Sequence, residues 1–122
     1  METPDQQLTN NKNNKIKKIL INLSNDERAD MKGANLIQAD MKGAKLYEAD
    51  ITGADFRFAK IGGGDFTGAD FTAAYFTVAD LGRADFTGAN FWGADFSRAD
   101  LRGADLSKAR LPKGYGKLPT NS

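Results

Sequence analysis

The chain has 122 residues, enough for one domain, and its 17 Lys and Arg against 16 Asp and Glu give a net charge of +1. It contains no Cys and no His, which excludes disulfides, thiolate nucleophiles, Cys/His zinc sites and imidazole acid–base catalysis. The balanced total charge gives no indication of a protein that binds nucleic acid.

The N-terminal segment has two parts. Residues 1–13 are rich in Asn, Gln and Lys without an apolar period, which predicts a disordered lead-in. Residues 14–28 place apolar side chains at i, i+3, i+4 and i+7, which predicts a short amphipathic α-helix with an Asn N-cap. These side chains are Ile16, Ile19, Leu20 and Leu23. The apolar run 19–21 is too short for a signal peptide or a membrane span, so we expect a cytoplasmic protein without membrane contact.

A five-residue repeat runs from Ala29 to Leu111. Every fifth residue is a large apolar centre, Ala stands two places before each centre except at Gly64, and Asp or Asn stands between them in most pentads. The seventeen centres are Met31, Leu36, Met41, Leu46, Ile51, Phe56, Ile61, Phe66, Phe71, Phe76, Leu81, Phe86, Phe91, Phe96, Leu101, Leu106 and Leu111. An α-helix cannot use this period, because five residues advance by about 500° and the apolar stripe would wander round the helix.

Each pentad has the pattern of a short strand followed by a corner. Ala, Asp and the centre alternate in, out and in, as a strand requires, and the next two residues are small or polar. A type II turn needs φ > 0 at its third residue, and glycine takes that place in eight pentads. These glycines are Gly33, Gly43, Gly53, Gly63, Gly68, Gly88, Gly93 and Gly103. We expect three-residue strands joined by corners that all turn the same way, which makes a solenoid.

The tandem A-[D/N]-[L/F]-x-x pattern resembles the pentapeptide repeat family, for example in ADFTGANFWGADFSRADLRGADLSKAR from Ala84 to Arg110. The resemblance covers residues 29–111. It implies an all-β solenoid, namely a right-handed quadrilateral parallel β-helix with four pentads per coil and about four coils. Ala and the centre point inward in such a coil. Proteins of this family are frequent in cyanobacteria, and most have no assigned biochemical role.

The implied coil places centres twenty positions apart in columns. Phe residues then form ladders on three faces, namely Phe56, Phe76 and Phe96; Phe66 and Phe86; and Phe71 and Phe91. We interpret these ladders as core, since burial of each Phe contributes roughly 1.5–3 kcal/mol. No cofactor cavity and no cofactor are predicted.

The many Asp residues raise the alternative of a metal or catalytic site. Asp65, Asp85 and Asp105 stack in one column about 5 Å apart, but Ca²⁺ needs six to eight converging oxygens and a column offers a line. We interpret the column as a solvated face whose carboxylates accept hydrogen bonds. Lys60 lies between Asp40 and Asp80, where surface charge pairing is expected. We predict no metal site, no catalytic residue and no enzyme, since no nucleophile and base can be assembled.

Four outward positions carry apolar side chains. Tyr75 takes a slot that is usually Asp, and Phe58 and Val78 take a corner slot that is usually Gly or polar. Trp92 stands at the preceding corner one coil later. We call Phe58, Tyr75, Val78 and Trp92 the apolar patch. A contiguous patch of this kind is a candidate contact site and Trp and Tyr are enriched at hot spots, whereas single exposed apolar residues are ordinary surface.

The two ends of the solenoid differ. An open coil exposes unpaired strand edges, so the helix over 14–28 is predicted to cap the first coil. The alternative is a free helix whose Lys15, Lys17 and Lys18 touch nucleic acid or a membrane. Residues 112–122 contain two Pro and two Gly, which predicts an irregular tail.

Two functions stay open at the level of the sequence. The first is a non-catalytic, monomeric scaffold that binds another protein through the apolar patch and does not bind nucleic acid. The second is the family's DNA mimic, which modulates DNA gyrase and protects it from quinolones by means of an acidic face and a C-terminal dimer element. Residues 29–111 contain eleven Asp and one Glu against five Lys and five Arg, a net charge of −2, which favours the scaffold.

Overall fold

A computed structural model describes residues 29–112. Its backbone pairing repeats every twenty residues: thirteen parallel bridges join residue i to residue i+20, from Asp30↔Asp50 to Asn90↔Arg110. The bridge residue is always the one between the inward Ala and the apolar centre. Each twenty-residue coil therefore contains four pentads, and residues twenty apart stack in columns.

The expected three-residue strands are wrong in detail. Within residues 29–112 there is no helix, and each pentad contributes a single bridge residue instead of a strand. A corner follows every triplet, so only its middle residue keeps strand pairing with the coils on both sides. Backbone bonds nevertheless join the coils closely: Asp55 N–H donates to the Ala34 carbonyl at 2.9 Å, and Phe56 N–H donates to the Tyr75 carbonyl at 2.7 Å.

The corners are β-turns with a left-handed third residue. The Ala34 N–H donates across its corner to the Met31 carbonyl at 3.1 Å, and the same bond recurs along the chain. At every corner from Gly33 to Lys108 the third residue has φ between 56° and 73°. Eight of these residues are the glycines named above. The others are Gln38, Glu48, Phe58, Ala73, Val78, Arg83, Arg98 and Lys108, and each bears a cost of about 1 kcal/mol that glycine avoids.

The interior is filled by Ala and the apolar centres. All seven Phe centres are fully buried. Phe56 and Phe76 stack with ring centroids 5.0 Å apart, and Phe76 and Phe96 stack at 5.2 Å. The Phe66–Phe86 and Phe71–Phe91 pairs stack in the same way, at 5.4 and 5.1 Å. Rings in neighbouring columns meet edge to face, so the aromatic core is continuous across the coil.

Gly64 is the inward position that lacks Ala. A Cβ atom at Gly64 would overlap Cε2 of the Phe66 ring and lie 3.1 Å from the Ala44 carbonyl oxygen. The Phe66 ring thus occupies the volume that an alanine methyl fills in other pentads. Glycine at 64 leaves room for the Phe66 ring in the place that it takes here.

The ends of the described chain leave groups uncovered. The backbone N–H groups of Asp30, Asn35, Asp40 and Lys45 have no backbone acceptor within residues 29–112. Leu111 is 39% exposed, because no later coil lies over it in this range. The predicted lead-in 1–13, the helix over 14–28 and the tail after Pro112 lie outside the described residues. The domain bounds, the right-handed winding, the quadrilateral outline and the count of about four coils stay predictions.

Candidate protein-contact site

The outward Asp and Asn side chains form hydrogen bonds that stabilise the corners of their own pentads. In thirteen pentads Oδ1 accepts the backbone N–H of the residue two positions later, at 2.9–3.3 Å. An Asx bond of this kind holds the turn that the backbone makes. These side chains are hydrogen-bond acceptors, as the sequence indicated, and the donor is local.

Hydroxyl groups add a second bond to several of these carboxylates. Thr87 Oγ1 donates to Asp85 at 2.6 Å, and Ser97 Oγ donates to Asp95 at 2.5 Å. The hydroxyl bond is the main reason that the pKa of each carboxyl lies below its ordinary value. The neighbouring Asp105 carboxylate raises the pKa of Asp85, but the hydroxyl and the corner N–H outweigh it.

Two carboxylates are held by arginine instead. Arg102 donates from Nε and Nη2 to Asp100, with an Nη2–Oδ2 distance of 2.7 Å, and this lowers the pKa of Asp100 to about 2. Arg57 binds Asp55 in the same bidentate way, and its side-chain bond lowers the pKa of Asp55. Both ion pairs are partly exposed and join residues only two positions apart. Their charge attraction therefore contributes little to stability, and their main effect is to hold the corner in place.

The acidic column, Asp65, Asp85 and Asp105, consists of exposed carboxylates. Bridges join Asp65 to Asp85 and Asp85 to Asp105. Each carboxylate already uses Oδ1 for its corner N–H and a hydroxyl. Within residues 29–112 no group of acidic side chains converges as metal ligands would. The column presents a line of carboxylate oxygens to solvent.

In four described pentads the usual Asp or Asn is replaced, by Lys45, Lys60, Tyr75 and Arg110. Lys60 and Tyr75 stand where most pentads carry Asp or Asn, and the N–H groups two positions later belong to Gly62 and Thr77. Neither N–H has an acceptor within residues 29–112. The sequence carried this signal, since Lys60 and Tyr75 put no carboxylate or amide oxygen in the slot before these two amides.

The charge pairing expected for Lys60 is wrong. Lys60 forms bridges with Asp40 and Asp80 through its backbone, so its place in the column is as predicted. Its side chain makes no ion pair with any residue of the range 29–112, where the pairs are Lys32–Asp50, Arg57–Asp55 and Arg102–Asp100. The neighbouring carboxylates point to their own corners, as Asp80 does to the Gly82 N–H at 3.0 Å.

The apolar patch is exposed at three of its four residues. Phe58 is 54% exposed, Tyr75 49% and Trp92 37%, while Val78 is half-buried. Phe58 and Val78 hold the same corner position in successive coils, and both have φ near 60°. Tyr75 stands in a column of carboxylates, between Asp55 and Asp95.

Trp92 has a partner that the sequence did not indicate. The guanidinium carbon of Arg110 lies 4.4 Å from the centroid of the indole ring, a cation–π contact. Arg110 is paired with Asn90, whose Oδ1 accepts the Trp92 N–H, so Trp92 is fixed on that side of its corner. Within residues 29–112 no ring pair joins Trp92, Tyr75 and Phe58 to one another.

The repeat region matches the sequence profile of a known protein family. The profile of the pentapeptide repeats matches residues 27–60, 49–81 and 79–113, in eight copies. The chain belongs to the pentapeptide repeat family. A search of curated protein sequences finds no match to it.

Solved structures of other pentapeptide repeat proteins are similar to it. A pentapeptide repeat protein from Nostoc PCC 7120 is 28% identical over 71% of this chain and 77% of its own, with a TM-score of 0.55. HetL, from the same cyanobacterium and involved in heterocyst differentiation regulation, is 31% identical over 75% of this chain and 44% of its own, with a TM-score of 0.44. QnrB1, a plasmid-mediated fluoroquinolone resistance protein, is 25% identical over 70% of this chain and 51% of its own, with a TM-score of 0.39.

The first of these likenesses supports a pentapeptide-repeat β-helix for this chain. The described part of the protein contains no helix with the length and apolar content needed to cross a bilayer. Its surface features are thus a line of carboxylates, two corners with unpaired amides, and a set of exposed rings beside one of those corners.

Proposed function

We propose that this pentapeptide repeat protein is a non-catalytic, monomeric scaffold of the cytoplasm whose apolar patch binds another protein. The scaffold itself is the right-handed, four-sided β-helix of about four coils predicted from the sequence. The observation that supports the proposal is the exposure of the Phe58, Tyr75 and Trp92 rings on neighbouring coils of an otherwise polar surface.

Two residues of the apolar patch lower the stability of the fold. Tyr75 replaces an acceptor and leaves the Thr77 N–H unpaired within residues 29–112. Phe58 adopts a left-handed φ of 62° where glycine avoids the cost of about 1 kcal/mol. Both side chains remain exposed despite this cost, which supports a contact with another molecule.

The chemistry of the patch indicates the kind of partner. Exposed rings contribute through burial of apolar surface, and the half-buried Thr77 amide offers one hydrogen bond beside them. A partner with an apolar side chain and an adjacent carbonyl oxygen satisfies both. Because apolar burial is not screened by ions, the complex should tolerate salt.

The experiment is affinity capture from native lysate with three baits. The double variant Tyr75→Asp/Trp92→Thr replaces both aromatic residues with residues that other pentads carry at the same positions. Asp is the commonest residue in the Tyr75 slot, and Thr52 and Thr72 stand in the Trp92 column. Tyr47→Thr is the matched control, because it removes a half-buried aromatic from another corner. We expect a protein retained by the wild type and the control and lost with the double variant. Capture of the same proteins by all three baits would contradict the proposal.

The second candidate is a DNA-mimic modulator of gyrase, which the acidic column of Asp65, Asp85 and Asp105 favours. Outward cations at several other columns oppose it, because a mimic needs one face with the charge density of a duplex. They are Lys32, Lys42, Arg57, Arg83, Arg98 and Arg102. We expect no inhibition of gyrase supercoiling and no binding to DNA at micromolar protein. Potent inhibition that weakens steeply with salt would make the mimic the better account.

A further inference from the structure

An open cleft of about 460 Å³ lies at the corner that follows Lys60. Its floor is formed by Gly62 and Gly82, which stand between Lys42 and Arg102 in one corner column. Two missing side chains in the middle of the column make the concavity. A Cβ at Gly62 would lie 2.9 Å from the Gly82 carbonyl oxygen, so this corner cannot be filled from within.

The Gly62 N–H is the donor at the floor of this cleft. Thirteen other corners present the equivalent N–H to a side-chain oxygen of the same coil, and Lys60 supplies none. Gly62 is half-buried and has no acceptor within residues 29–112. An unpaired amide is unfavourable where it is shielded from water, so an acceptor from outside the chain would stabilise it.

Three cations and two carboxylates line the cleft. Of the cations, Lys42 and Arg83 make no ion pair within residues 29–112. Asp100 is neutralised by its bidentate pair with Arg102. Asp80 is the remaining carboxylate at the rim, and its Oδ1 accepts the Gly82 N–H.

We propose that this cleft binds a single carboxylate side chain from an acidic segment of a partner protein. The carboxylate takes the acceptor position that Asp fills at other corners. It accepts the Gly62 N–H, and Arg83 and Lys42 neutralise its charge. One negative charge suits the site better than the two of a phosphate, because Asp80 at the rim repels the second. The cleft and the apolar patch are separate sites on the two sides of Lys60, and the proposal does not rest on the function proposed above.

The test follows the Gly62 amide by NMR while a blocked peptide of alternating Asp and Gly is added. We expect a saturable downfield shift of this amide, and binding at least tenfold weaker for the same peptide with Asn in place of Asp. Lys60→Asp should abolish binding, because its own carboxylate then accepts the Gly62 N–H. Arg83→Gly should weaken it severalfold.

Matched controls make the same chemical changes elsewhere. Lys45→Asp alters the same slot three pentads earlier, and Arg98→Gly removes a cation from an equivalent left-handed corner outside the cleft. Both should bind the peptide as the wild type does. An unmoved Gly62 amide, unchanged binding by Lys60→Asp, or inorganic phosphate that binds as tightly as the Asp peptide would overturn the proposal. Loss of peptide binding in Tyr75→Asp would also overturn it, since the two sites would then be one.

Discussion

Aspartate, the commonest outward residue of the repeat, stabilises this protein through its own corner. Each Oδ1 accepts a backbone N–H that would otherwise face solvent unpaired, and Ser or Thr two positions later adds a hydroxyl bond at several corners. The interaction needs an oxygen at the right distance and does not need a charge, as Asn35 and Asn90 show by making the same backbone bond.

Asp95 offers a clean test of this role, because no charged side chain contributes to its pKa. Asp95→Ala removes the acceptor and should lower the free energy of unfolding in urea by about 1 kcal/mol. Asp95→Asn keeps an oxygen in place and should lose less than half of that. Equal losses in the two variants would show that charge, and not the corner bond, is what the repeat selects.

The lowered carboxyl pKa values also fix the direction of the pH dependence. A carboxyl whose pKa is lower in the folded state stabilises the fold above its unfolded pKa, and this contribution is lost as pH falls through the folded pKa. For Asp100 that interval runs from the ordinary value of 3.8 to about 2. Thermal melts should therefore show a constant Tm from pH 7 to about 5 and a fall between about pH 4 and 2. A Tm that stays level to pH 2 would contradict these shifts.

At the scale of the pentad, packing inside the coil decides which residue each position accepts. Ala fits beside most centres, but the Phe66 ring lies over the place where an alanine methyl at position 64 would be. Leu46, Phe86 and Leu106 stand in the same column as Phe66 and have Ala two places before them. The overlap at position 64 therefore comes from the place that the Phe66 ring takes in this coil, and not from phenylalanine as such.

Gly64→Ala should destabilise the protein by about 1–3 kcal/mol, the usual range for overpacking a core. The double variant Gly64→Ala/Phe66→Leu should recover part of the loss, because leucine and Ala already occur together in that column. The measurement is a double-mutant cycle by urea unfolding. Strictly additive effects of the two substitutions would contradict the packing account.

The parts of the fold that repeat were readable from the sequence, and the parts that depend on one side chain were not. The period of five placed the inward positions and the glycine corners, because each was indicated many times. Single bridges replaced the expected strands, since corners come too often for longer pairing. Two outcomes could not be predicted, namely that Lys60 makes no ion pair within residues 29–112 and that Arg110 contacts the Trp92 ring, because both depend on where individual side chains point. The cap over 14–28 stays a prediction.

At the scale of the whole molecule, the protein is a regular stack whose coils contact chiefly their neighbours. In such a solenoid the same residue types satisfy every coil, so a departure from the repeat either serves local packing or serves a contact outside the chain. Gly64 is a departure of the first kind. We assign Tyr75 and Lys60 to the second kind, because each leaves a corner amide without an acceptor within residues 29–112, and Phe58 because its ring is exposed.

The unfolding free energy of the triple variant Phe58→Gly/Tyr75→Asp/Trp92→Thr tests this distinction most directly. Glycine relieves the left-handed corner, and Asp supplies an acceptor for the Thr77 N–H. Thr loses the contact with Arg110, worth about 0.5–1 kcal/mol, and the covered part of the Trp92 ring. We predict that the variant is as stable as the wild type or more stable, by up to about 1 kcal/mol. A loss of more than about 2 kcal/mol would show that these residues serve the fold, and would contradict their assignment to a protein-contact site.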